Sequence, residues 1–282
     1  MKRTRLLALL SLLGVLLIAF VALKESREPH LWLFVDDVLH PKPAPHTIPL
    51  SGGLAVRLYA DTRPHVGKVA RLQKGLILLD GDREVVEEGF GLGLPLVEVA
   101  GRAYLSRSAT TEYHSGPART TLVKRYEMDT LDTPSGFLRR KYEPVPSIGT
   151  VTVSYTLAVE AIEVTVDLAG LETSWDQVYV MNEQGARTFT RYEEAGLAVE
   201  GAAFGRWQPT TSHRGCIVAG DRSLQFCVET EKEVPRYYGR ERYYQYYPLG
   251  VYALSWAGID LELAQPARRL TYRIEVERPD GE

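Results

Sequence analysis

Hydrophobic and polar residues alternate with a period of two along most of this chain. Val151, Val153, Tyr155 and Leu157 alternate with Thr and Ser. Ile162, Val164, Val166 and Leu168 alternate with Glu163, Thr165 and Asp167, and Leu270, Tyr272, Ile274 and Val276 alternate with Thr271, Arg273 and Glu275. A β-strand turns successive side chains to opposite faces, so each run predicts one face for a core and one for water. Asp80-Gly81 and Ala100-Gly101 each separate two such runs and predict tight hairpins. From about residue 51 onward no window carries a helical period, and turn signals delimit roughly fourteen strands. The expected fold is all-β: a large antiparallel β-sandwich over 51–282, either one continuous sandwich or two smaller ones divided near Glu143–Gly149. No fixed-period repeat points to a propeller or solenoid.

One stretch breaks the alternation. Leu6–Leu23 is an uninterrupted run of 18 residues whose most polar member is Ser11. At about 1.5 Å per residue it reaches roughly 27 Å as a helix, close to the ~30 Å hydrocarbon core of a bilayer. A transmembrane signal-anchor helix over 6–23 is expected, ahead of a cleaved signal peptide or a buried core helix; Phe20 would sit at the −3 position of a cut after Ala22, a poor cleavage site. Lys2, Arg3 and Arg5 form a cytoplasmic stub, residues 1–5, because positive charge stays on the cytoplasmic side. The rest then lies outside the membrane, with the lipid bilayer as partner of residues 6–23. Pro29, Pro41, Pro43, Pro45 and Pro49 predict a semi-rigid stalk over 24–50. Within it Leu31-Trp32-Leu33-Phe34-Val35 is an apolar patch, open to reading as an edge strand, an interfacial anchor or a docking segment.

The composition is that of an ordinary folded protein: 45% hydrophobic, 24% charged, 33 Lys+Arg against 36 Asp+Glu. Without the three leading cations the remainder carries 30 basic and 36 acidic residues, which disfavours nucleic acid as a partner. The 2 cysteines, Cys216 and Cys227, flank two short strands around a Gly-Asp-Arg-Ser turn. If Ala219 and Leu224 close that turn, the cysteines oppose each other within disulfide range; two buried thiols are the alternative, and export favours the bridge. The six histidines form no metal-ligand spacing, and neither G-x-S-x-G nor a P-loop occurs, so no metal or cofactor is expected. Gly89-Phe-Gly-Leu-Gly93 reads as a bulge or bend.

The order of elements resembles the β-supersandwich of galactose mutarotase-like proteins, an architecture shared by the extracytoplasmic domain of bacterial membrane-protein insertases. The likeness is carried by Gly93-Leu-Pro-Leu-Val-Glu-Val99, Leu122-Val-Lys-Arg-Tyr126, Gly149-Thr-Val-Thr-Val-Ser-Tyr155 and Ile162-Glu-Val-Thr-Val-Asp-Leu168. It implies a His/Glu pair working as acid and base on a sugar ring. No histidine occurs in Tyr179–Gly185, where that family places one. His114 and His213, with Glu183 as carboxylate, are the candidate catalytic residues, each more simply a loop residue.

The most unusual local composition is Arg236–Pro248, where six of the 16 tyrosines fall within residues 237–247. Tyrosine offers a flat apolar face and a hydroxyl, suited to sugar rings and to protein interfaces. The prolines at both ends and Gly239 inside predict a long loop or flap, or else a Tyr-rich hairpin packed over the end of the sandwich. Tyr237, Tyr238, Arg240, Arg242, Tyr243, Tyr244 and Tyr246, with Trp207, are the expected ligand-binding residues. Trp256 reads as core, and Trp207 as the most exposed of Trp175, Trp207 and Trp256. The expected function is a membrane-anchored extracytoplasmic module binding a carbohydrate or other polar envelope ligand, more simply a binder than an enzyme. The alternatives are an envelope assembly or scaffold domain and a mutarotase-like enzyme.

Overall fold

The computed structural model describes residues 44–60, 63–64, 71–86, 89–116, 119–135, 139–158, 161–230, 233–247 and 250–279. In 63–64, 71, 133–135, 139–142, 242–247 and 250–254 the backbone path alone is described. Twenty-three strands follow, joined by turns and one 3₁₀ turn at Ser51–Gly53. The first six are β1 (His46–Pro49), β2 (Leu54–Leu58), β3 (Arg63–Pro64), β4 (Arg71–Leu72), β5 (Ile77–Asp80) and β6 (Arg83–Glu84). Next come β7 (Gly91–Val99), β8 (Arg102–Leu105), β9 (Ser108–Ser115), β10 (Thr120–Glu127), β11 (Thr130–Ser135), β12 (Arg139–Pro144), β13 (Thr150–Leu157) and β14 (Ile162–Asp167). The last nine are β15 (Gln177–Gly185), β16 (Phe189–Glu194), β17 (Leu197–Glu200), β18 (Gln208–Pro209), β19 (Arg214–Ala219), β20 (Gln225–Glu229), β21 (Arg236–Tyr247), β22 (Gly250–Ala264) and β23 (Arg269–Glu277).

Two large antiparallel sheets form the sandwich, one of nine strands ordered β17-β16-β19-β20-β23-β14-β13-β10-β9, the other of eight ordered β12-β11-β8-β7-β15-β22-β21-β18. Strands from either side of Glu143–Gly149 share both sheets, so the strand order does not divide there. A four-stranded sheet, β1-β2-β5-β6, adds Leu54, Val56 and Leu58 to the same hydrophobic core. Strand pairing reaches into the segment expected as stalk: His46–Pro49 pairs with β2, and an edge strand tolerates proline because its outward N–H needs no partner. His46 stacks on Tyr113 of β9 with ring centroids 4.6 Å apart. The expected helix over 6–23 lies outside the described residues, as does the Leu31–Val35 patch. No helix among the described residues is long and apolar enough to cross a membrane.

The alternation works as the sequence predicts. Val151, Val153 and Tyr155 from one sheet and Val97, Val178, Val180, Ile259 and Leu261 from the other are fully buried between them. Both expected hairpins form; Ala100 (φ 49°) and Gly101 (φ 71°) have the paired positive φ of a type I′ turn. The glycine-rich stretch is a bulge, since β7 slips against β15 at Met181/Asn182 with Gly93 at φ 78°. Arg236–Tyr247 is not a loop or flap but one arm of a hairpin, the alternative reading of this stretch. β21 pairs with β22 over its whole length, because tyrosine fits a pleated surface well and Val251–Ala264 supplies a continuous partner ladder.

A polar network crosses the core. Asn182 Oδ1 accepts from the Tyr272 hydroxyl at 2.8 Å and from the Gly93 N–H at 3.0 Å, while its Nδ2 donates to the carbonyls of Val180 and Ile259. Tyr155 donates to the Leu92 carbonyl at 2.9 Å. Lys124, fully buried at an inward position of β10, donates to the carbonyls of Tyr59 and Lys74. Buried polar groups persist when each finds a partner, and the Tyr272–Asn182 and Tyr155–Leu92 bonds cross between the two large sheets, which helps fix how the layers stack.

Candidate functional site

The register of the four central strands of the eight-stranded sheet assembles a patch on its outward face. Val178, Val180 and Asn182 point inward, so Gln177, Tyr179, Met181 and Glu183 point out. On β22 Ile259, Leu261 and Leu263 are core, which turns Asp260 and Glu262 outward. Tyr179 lies opposite Glu262, and Tyr237 opposite Asp260. Leu96 and Glu98 extend the patch along β7, Leu96 pairing with Tyr179. All of these except Met181 and Glu183 are half-buried; the exposed part of Asp260 is not its carboxyl, which is buried.

Hydrogen bonds hold the patch in one shape. Gln177 Nε2 donates to Glu262 Oε1 at 2.8 Å, the Tyr179 hydroxyl donates to Gln177 Oε1 at 3.0 Å, and Tyr237 hydrogen-bonds Glu262. The hydrogen bond to Glu262 raises the Tyr237 phenol, and burial followed by the charges of Glu262 and Glu98 raises that of Tyr179. Asp260 is pushed up to about 8, chiefly by burial of its carboxyl and further by the charge of Glu241; the Asn182 N–H, donating to Oδ1 at 3.2 Å, opposes this more weakly. At neutral pH Asp260 is mainly a neutral acid able to donate. The patch therefore offers two aromatic faces, an amide and a carboxylate within a few strand spacings.

The residues named from sequence fall in different places. Tyr237 is in the patch. Trp207 lies against β21 on the same side: a Cβ on Gly239 would stand 2.7 Å from Trp207 Cδ2 and 2.9 Å from its Cα, so only glycine admits that crossing. Trp207 is half-buried, whereas Trp175 and Trp256 are buried, as the expected ranking has it. Tyr238 points the other way, buried and stacked on Tyr192 with centroids 3.7 Å apart. Arg240 also turns inward, donating to the Ala186 carbonyl at 2.8 Å. Arg242, Tyr243, Tyr244 and Tyr246 belong to β21, with side chains outside the described residues.

The two histidines are not brought to Glu183. His114 is exposed on the edge strand β9, 3.6 Å from Glu112, which Arg125 holds below the usual carboxylate range. His213 is exposed before β19, and its backbone carbonyl rather than its ring is engaged, accepting from Thr230 N–H and Arg236. Glu183 is buried in the eight-stranded sheet. Cys216 and Cys227 are register partners joined in a disulfide, with the turn closed by Ala219 and Leu224. Among the described residues no group of three His, Cys, Asp or Glu could hold a metal ion. Tyr179, Gln177, Glu262 and Asp260 carried no motif; the signal available was polar and tyrosyl residues at the outward positions of strongly apolar strands.

No family model and no curated protein matches the chain. Among solved structures the fold is similar to a mutant of the heparan sulfate lyase HepC from Pedobacter heparinus, with a TM-score of 0.52, 8% identity, and coverage of 86% of this chain and 36% of that one. It is likewise similar to the alpha-N-acetylgalactosaminidase NagBb from Bifidobacterium bifidum in complex with Gal-NHAc-DNJ, at TM-score 0.50 and 8% identity, covering 83% of this chain and 36% of that one. The chain spans about a third of the length of either protein. At such identity the likeness is one of fold: an all-β sandwich of the kind these carbohydrate-active enzymes contain. Neither protein is a mutarotase, so the expected likeness holds at this coarser level.

Proposed function

We propose that this chain is a membrane-anchored, extracytoplasmic β-sandwich module that binds a carbohydrate on the outward face of its eight-stranded sheet, without catalysis. The observation that carries the reading is the half-exposed pair Tyr179 and Tyr237, bridged through Glu262 and Gln177. A sugar ring has an apolar face and a hydroxyl edge. A tyrosine ring stacks on the first, while a fixed carboxylate and amide satisfy the second. The fold supports the reading, since proteins named as a heparan sulfate lyase and an alpha-N-acetylgalactosaminidase contain it. The apolar run Leu6–Leu23 supports the anchor, and the Cys216–Cys227 disulfide suits an oxidising compartment.

Calorimetric titration of a broad panel of soluble oligosaccharides tests it. At least one saturable isotherm is expected, weakened about tenfold or more, roughly 1.4 kcal/mol, by Tyr179→Ala or Tyr237→Ala with little change in melting temperature. A panel without saturable heat overturns it. A second reading, an envelope scaffold domain contacting another membrane protein, is favoured by the far half of the β21–β22 hairpin, where Arg242–Tyr247 and Gly250–Ser255 pair with each other and, among the described residues, with no third strand. Crosslinking in membranes that returns one dominant protein partner through that hairpin would support it.

A further inference from the structure

Tyr179 stands among Glu98 on β7 and Asp260 and Glu262 on β22, and all three carboxyls bear on its phenol. Among the described residues none of the three forms an ion pair with a lysine or arginine. Among the described side chains the outward positions of β7, β15, β22 and β21 carry no lysine or arginine, and Arg236 and Arg240 fall at inward positions of β21. A group bound against Tyr179 and Tyr237 therefore meets carboxylates and, among the described residues of these four strands, no outward-facing cation. Near a protein surface such charges act through a dielectric well below that of water, so the sign of the ligand's own charge matters.

We infer that the glycan taken by this face carries no sulfate or carboxylate groups, and that sugars bearing a free amine are preferred to their acetylated counterparts. The inference rests on the binding reading above and adds the chemical class of the ligand. Glu98 and Glu262 repel an anionic sugar and attract an ammonium, while neutral hydroxyls donate to them at no electrostatic cost.

The test is calorimetry with three probes: chitosan hexasaccharide, its fully N-acetylated counterpart, and a heparan sulfate hexasaccharide. In dilute buffer the amine form is expected to bind about tenfold tighter than the acetylated form. That ratio should fall toward one as salt shortens the Debye length from about 30 Å to about 8 Å. Heparan sulfate should give no saturable heat. Glu98→Gln should cut the amine preference about threefold. Equal affinities in dilute buffer, or tighter binding of heparan sulfate, overturn the inference and leave the binding reading standing. Silence from all three probes together with the wider panel removes both.

Discussion

On the outward face of the nine-stranded sheet Arg214 pairs with Glu275 at 3.0 Å and with Glu277 at 3.4 Å, Arg191 with Glu193 at 2.6 Å, and Arg125 with Glu112 at 2.5 Å. Glu193 and Glu275 are the register neighbours of Cys216 and Cys227, so the Arg191 and Arg214 pairs border the disulfide, which is itself almost entirely buried, while the Arg125 pair lies at the β9 edge. On the outward face of the eight-stranded sheet Glu98, Asp260 and Glu262 are instead gathered around tyrosines. The same strand alternation built both faces. One closes its charges on itself and stabilises the fold; the other leaves tyrosine rings, an amide and carboxyls facing solvent, where a ligand can use them.

The largest effect should come from the polar hub that both sheets share. Asn182→Leu leaves the Gly93 N–H, the Tyr272 hydroxyl and two carbonyls buried without partners, and should cost about 3–4 kcal/mol in denaturant unfolding. A loss below 1 kcal/mol would show that the sheets stack by apolar contact alone. Cys216→Ser with Cys227→Ser, which opens a link between residues separated by 11 in sequence, should cost about 2–3 kcal/mol while oligosaccharide affinity stays unchanged. A matching loss of affinity would join the two faces that the structure separates.

Asp260 gives a pH signature. The folded protein holds its proton up to about pH 8, whereas an unfolded aspartate releases it near pH 4. The folded state thus binds the extra proton, the stability this brings is fully present below about pH 4, and it is lost as pH rises through about 8. Asp260→Asn should flatten that decline and melt higher than the natural protein at pH 9, by on the order of 1–2 kcal/mol. Parallel melting curves from pH 5 to pH 9 would place the ionised carboxylate in water. The smallest effect belongs to the outer ion pairs: Arg214→Ala should cost under about 1 kcal/mol, and less again in high salt.

Local signals in the chain carried much of the fold. Alternation picked the strands, Asp80-Gly81 and Ala100-Gly101 marked hairpins, and the Cys216/Cys227 spacing about a turn located the disulfide, because each depends on residues close along the chain. The Tyr-rich stretch left a loop and a hairpin both open, and the hairpin is the one that forms. Its prolines spoke for a loop, while the ladder that makes it a strand comes from Val251–Ala264, beyond the window in which a turn is judged. Lys124 sits at an alternation position that calls for an apolar residue, and nothing near it announces the distant carbonyls of Tyr59 and Lys74 that satisfy its ammonium.

By itself the sequence determined that this is an antiparallel β protein and which face of most strands is apolar, because burial of alternate side chains is a local, periodic demand. Only the tertiary structure decided that Tyr179, Tyr237, Asp260 and Glu262 become neighbours, since Tyr179 and Glu262 lie far apart in sequence and meet through the register of β15 against β22. Register follows from how the whole core packs and from the Asn182 network that locks the two sheets together. No stretch of chain short enough to read in isolation contains either.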